Sequence, residues 1–87
     1  MSNLIGTIGP FNPGSDENIH DYLDRMEAYI TVNDIVPTKR TPMLLSYIGA
    51  DTYKLIKNLI VPLNPSTQTY QSLTDALKSH TNQTFIG

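Results

Sequence analysis

The chain has 87 residues, no cysteine, eight acidic and six basic side chains, and a formal net charge of −2. That length suits one small domain, excludes a disulfide framework or a thiolate zinc site, and argues against nucleic-acid binding by this segment alone. His20 and His80 share no ligand spacing, no apolar run approaches the ~20 residues of a membrane span, and no signal peptide is visible, so no metal, cofactor or membrane is expected and the expected setting is cytoplasmic or nuclear.

Residues 1–15, "MSNLIGTIGPFNPGS", carry Gly6, Gly9, Gly14, Pro10 and Pro13, and cannot form a helix. They read as an extended segment anchored on the core by Leu4, Ile5, Ile8 and Phe11. From Asp16 the pattern changes. Ile19, Tyr22, Leu23, Met26, Tyr29, Ile30 and Asn33 form the stripe of an amphipathic helix over 17–33. Ser15 or Asp16 is the expected cap, and Asp21 and Arg25 an expected i, i+4 pair. Pro37 is expected to end this helix by forcing Val36 out of helical geometry.

The second helix is expected to open at Thr38 or Thr41, with Pro42 in its first turn and Leu44, Leu45 and Ile48 facing the core. Gly49 reads as its left-handed stop and Asp51 as the cap of a third helix, in which Tyr53, Leu55, Ile56, Leu59 and Ile60 are apolar. Residues 61–69, with Pro62 and Pro65, read as a loop. A fourth helix begins near Thr67 or Thr69, turns Tyr70, Leu73, Ala76, Leu77 and His80 inward, and frays in "HTNQTFIG". The fold class is therefore all-α: a small bundle of about four short helices with an extended N-terminal segment. One core is expected from Phe11, Tyr22, Leu23, Met26, Leu44, Leu45, Ile48, Tyr53, Ile56, Leu59, Tyr70, Leu73 and Leu77.

The run Gly49-Ala50-Asp51-Thr52 echoes the catalytic loop of retroviral aspartic proteases. Such a site needs a carboxylate two residues before the glycine, and Tyr47 stands there. Asp51 follows the glycine, and both flanks read as helix, so Gly49 and Asp51 form a structural hinge. No serine-nucleophile motif, phosphate loop or inward carboxylate pair is present, and no catalytic residue is assigned.

The residues in order resemble the start of the capsid region in Gag polyproteins of gypsy-type LTR retrotransposons. The matching positions are Phe11 and Pro13, Tyr22 and Arg25, Asn33 and Ile35, Leu44-Leu45-Ser46 with Gly49 and Tyr53, Pro62, Tyr70 and Leu73, and His80 with Asn82. The Leu-Leu-Ser-x-x-Gly-x-x-x-Tyr block is the most specific part, and the resemblance covers nearly the whole chain. Ile19 stands where the family usually has Trp, and Gln83 where it has Pro, which lets the fourth helix run on. The resemblance implies a capsid N-terminal domain over 16–82, after the segment 1–15 and before a tail at 83–87 leading to a C-terminal domain. It implies self-assembly into hexameric or pentameric shells. RNA would be met only through regions beyond this chain. Host genes derived from such Gags imply an alternative, a module that holds short host peptides in an interhelical groove.

The charge is split along the chain. Residues 16–34 hold six acids against Arg25, whereas 39–57 hold Lys39, Arg40, Lys54 and Lys57 against Asp51. These charges read either as ordinary solvated faces or as a head-to-tail contact between copies. In the second case Asp21, Asp24 and Glu27 on one side, and Lys39, Arg40, Lys54 and Lys57 on the other, are the candidate assembly contacts. At under about 1 kcal/mol a pair, assembly of the isolated domain is then expected to be weak and salt-sensitive.

Overall fold

Asn18 starts the first helix. Its side-chain oxygen accepts the backbone N–H of His20 at 2.7 Å, and the chain continues as α1, Ile19–Val32. The structure, a computed structural model, describes residues 4–86, with the backbone alone for 81–86. Neither Ser15 nor Asp16 caps α1. The Ser15 hydroxyl donates instead to the Asn12 carbonyl (2.8 Å) and accepts the Glu17 N–H, which uses it in the preceding turn. At the other end Asp34 takes a left-handed conformation (φ 50°), its N–H reaching Thr31 and that of Ile35 reaching back to Ile30. This paired closure ends α1 before Pro37 can act.

Val36 before Pro37 is out of helical geometry as expected, but Pro37 opens the next helix rather than ending α1. Val36 is extended and Pro37 occupies the first helical position of α2, Pro37–Tyr47, where a missing N–H costs little. Neither Thr38 nor Thr41 is the cap, and Pro42 lies inside the helix rather than in its first turn.

Gly49 then separates α2 from α3, Ala50–Leu59. Its φ is positive as expected, 95°, but ψ is 157°, so it is not the left-handed helical stop. Gly49 is itself the residue preceding α3, and its carbonyl accepts the Tyr53 N–H at 2.9 Å. Asp51 falls within the first turn, exposed, and makes no capping bond. What remains for it is the favourable placement of an acid near a helix N-terminus. Asn18→Ala is therefore expected to cost about 0.5–2 kcal/mol, and Asp51→Ala less than about 1 kcal/mol. Urea denaturation of the two variants checks the order.

The expected loop contains a 3-10 turn, Pro65–Thr67, capped by the Asn64 side chain. Thr69 caps α4, Tyr70–Ile86, its hydroxyl accepting the Ser72 N–H at 3.1 Å. The backbone of α4 stays helical to Ile86 through the stretch expected to fray, past the expected domain boundary at 82, since Gln83 does not interrupt it as a proline would. Gly87 and Met1–Asn3 lie outside the described residues.

Among the described residues the fold is thus four α-helices with no strand, behind an extended segment. α4 packs against each of the other three. Tyr22, Leu23, Met26, Leu44, Ile48, Ile56, Leu73 and Leu77 are fully buried in one cluster, with Ile19, Ile30 and Tyr70 beside them. Phe11, Leu45, Tyr53 and Leu59 are only half-buried. On α2 the inward face is Thr41, Leu44 and Ile48, which places Leu45 at the rim. The buried Thr41 hydroxyl is satisfied by the Gln68 carbonyl at 2.8 Å, tying α2 to the loop before α4.

Candidate interaction surface

The extended segment lies along α1 and the α2–α3 corner, held mostly through its main chain. The Asn33 side-chain amide receives the Ile5 N–H (2.6 Å) and donates to the Ile5 carbonyl (3.0 Å), standing in for a neighbouring strand. The Tyr22 hydroxyl donates to Gly9, Phe11 N–H donates to Ile48, and the Thr52 hydroxyl donates to the Phe11 carbonyl. The Phe11 ring meets Tyr22 edge-on, with centroids 5.4 Å apart. Pro10 presses on Gly49, where an added Cβ would lie 2.8 Å from the Pro10 Cβ. The hinge is thus a docking point for the N-terminal segment as well as a corner between helices.

Asn33 and Thr52 were not singled out as site residues in the sequence. Asn33 had two visible signals, a polar side chain at the end of an apolar stripe and its match, with Ile35, to the capsid pattern. Thr52 had none, because its partner is 41 residues away.

Burial pushes the Tyr22 hydroxyl up to about 12; the Glu17 carboxylate adds to the shift and Arg25 opposes it. Tyr70 is raised as well, first by burial and then by the adjacent Glu27 carboxylate. In each case the folded state favours the protonated phenol. Their contribution is therefore complete below the unfolded value of 10.0 and is lost as pH rises through the folded value. Stability is expected to fall between pH 10 and about 12, and Tyr22→Phe to make that fall shallower. The same variant should cost ~1 kcal/mol at neutral pH through its lost bond to Gly9. Denaturation midpoints at neutral and alkaline pH check both effects.

The candidate assembly residues lie on three helices, Asp21, Asp24 and Glu27 on α1, Lys39 and Arg40 on α2, and Lys54 and Lys57 on α3. Asp21 and Asp24 are exposed on α1. The expected Asp21–Arg25 pair is replaced by Arg25 with Glu17, the single ion pair among the described residues, and the Arg25 guanidinium lies 5.7 Å from the Tyr22 ring centre. The Glu27 charge raises the buried Tyr70 hydroxyl, which has no hydrogen-bond partner among the described residues. Arg40 influences the same hydroxyl, and its Nε donates to the Ile35 carbonyl at 2.9 Å. Glu27 is exposed on α1, as expected, and Arg40 is half-buried; both act on the Tyr70 hydroxyl. Lys39 borders a depression with Ile35, Met43 and Tyr47. Lys54 and Lys57 are exposed on α3, one helical turn apart, at the edge of a cleft shared with α2. Among the described residues no three His, Asp or Glu stand together as a metal site, and no helix is long and apolar enough to cross a membrane.

Comparison with protein-family models, with curated proteins and with solved structures finds no match.

Proposed function

We propose that the chain is a self-assembly module of the capsid N-terminal type, resembling that of gypsy-type retrotransposon Gag proteins, which builds a shell through contacts between copies. The observation that carries this reading is the role of the block 44–53. Leu44 fills the core, the Ser46 hydroxyl bonds back to the Pro42 carbonyl at 2.7 Å, Gly49 makes the corner, and Tyr53 lies half-buried beside it. The most specific part of the resemblance therefore consists of residues with distinct structural tasks, a pattern that chance similarity between apolar helices does not require. Sedimentation velocity of the chain over rising concentration tests it, with electron microscopy of the concentrated sample. Weak association that grows with concentration and weakens with salt is expected. A strict monomer at millimolar concentration overturns the reading.

A second reading, a peptide-binding module, is favoured by the segment already lying on α1 and the α2–α3 corner. Its main-chain bonds are of a kind that another extended peptide could repeat. Titration with a peptide copying residues 5–13 tests this: displacement of the chain's own segment supports it, and no binding removes it.

A further inference from the structure

Two charged faces of the molecule have no partner within it, and they match. On α1, Asp21, Asp24, Ala28 and Val32 follow at i+3 and i+4 spacing and form a single ridge. All four are exposed, Val32 by 51%. The ridge is acidic toward its N-terminal end and apolar toward its C-terminal end. On the other side, α2 and α3 border an open cleft of about 460 Å³ with Leu45, Ala50 and Tyr53 in its lining and Lys54 and Lys57 at its edge. Asp51 is the acid of α3 and forms no ion pair with either lysine, because the one ion pair among the described residues joins Arg25 and Glu17. A molecule cannot fill its own cleft. α1 and α3 both pack on α4, and the ridge lies opposite the face of α1 that buries Tyr22, Leu23 and Met26.

We infer that the α2–α3 cleft of one copy receives the α1 ridge of a second copy. Asp21 and Asp24 meet Lys54 and Lys57, while Ala28 and Val32 cover Leu45 and Tyr53. This pairing rests on the assembly reading above and specifies its surfaces. The two faces differ, so the contact is heterologous, and each bound copy still offers a free cleft at one end and a free ridge at the other. Repetition closes a ring or continues as a chain. Glu27 and Arg40 stay outside the contact: Glu27 lies about 100° around α1 from the ridge, and Arg40 bonds to the Ile35 carbonyl. The charges set register and encounter, and the apolar half of the ridge supplies the surface removed from water.

The absence of cysteine makes a direct test available. One sample carries Ala28→Cys and another Ala50→Cys, both at exposed positions. Mixed under mild oxidation, they are expected to give a disulfide-linked heterodimer well above the random level, while each alone stays mainly uncrosslinked. Lys54→Glu with Lys57→Glu in the Ala50→Cys chain should lower the heterodimer yield by about tenfold, since two attractive pairs become repulsive. Adding Asp21→Lys with Asp24→Lys to the Ala28→Cys chain should restore it. Circular dichroism confirms that each variant is folded. A random yield, a yield indifferent to charge reversal, or dominant Ala28→Cys self-dimers each overturn the pairing, the last by showing a symmetric α1 contact. Failed cross-linking while the unmodified chain still self-associates removes these surfaces alone. A monomeric unmodified chain removes the assembly reading with them.

Discussion

Gly49→Ala is expected to destabilise the chain by at least about 1–3 kcal/mol, and Gly49→Val by more. Two separate causes act. The backbone at φ 95° and ψ 157° lies in a region reached almost only by glycine, and an L side chain there carries strain of about that size. A new Cβ would also meet the Pro10 Cβ at 2.8 Å, so the N-terminal segment has to lift. Valine adds a branched β-carbon at the same crowded position. For a chain this short each kcal/mol corresponds to roughly 4–8 °C in Tm. The two causes separate in a double variant. Pro10→Gly removes the opposing Cβ, so it should relieve the collision part of the Gly49→Ala loss and leave the backbone part. A Gly49→Ala loss under about 0.5 kcal/mol would show that the corner relaxes into ordinary geometry.

Leu44→Ala should cost about 2–5 kcal/mol, while Leu45→Ala should cost clearly less. Leu44 is 0% exposed inside the central cluster, so truncation leaves a cavity lined by side chains that cannot all collapse into it. Leu45, expected from sequence to be equally buried, stands at the rim of the α2–α3 cleft, where solvent can replace the lost methyl groups. Chemical denaturation of the two variants measures the difference. If Leu45→Ala proves the more damaging, α2 is rotated by about 100°, one residue's turn, from the orientation described.

That neighbouring pair shows where sequence patterning stops being sufficient. Leu44, Leu45 and Ile48 make a broad apolar arc, and either leucine could lie at its centre. The choice falls to Thr41, a polar residue that reads as a helix cap rather than as core. It becomes buried because its hydroxyl finds the Gln68 carbonyl, 27 residues away. The α1 and α4 faces were legible because their apolar stripes continue for several turns and permit one inward direction. Helix starts were harder. Ser15, Asp16 and Asn18 are all competent caps, and the decision rests on Asn12, whose turn takes the Ser15 hydroxyl first. The end of α1 at Asp34 had no glycine to mark it, although Asp tolerates the left-handed region better than most residues. For the candidate surface, sequence supplied the signs of the charges and the structure their grouping. Glu27 and Arg40, 13 positions apart in sequence, share the surroundings of Tyr70, whereas Lys54 and Lys57 are left facing solvent beside an apolar cleft.

The N-terminal segment has a consequence for the order of events in folding. Its bonds span 28 residues from Ile5 to Asn33 and 41 from Phe11 to Thr52. The groups it binds stand in register only after α1 has met the α2–α3 corner, so the segment settles last. By the same logic it opens first. The Phe11 amide, bonded to Ile48, is set to exchange its hydrogen with solvent through a local opening, at a free energy below that of global unfolding. Amides inside α1 and α4 share no such shortcut, and their protection reports the whole bundle. The molecule therefore has two tiers of stability, a helical body and a detachable leading segment.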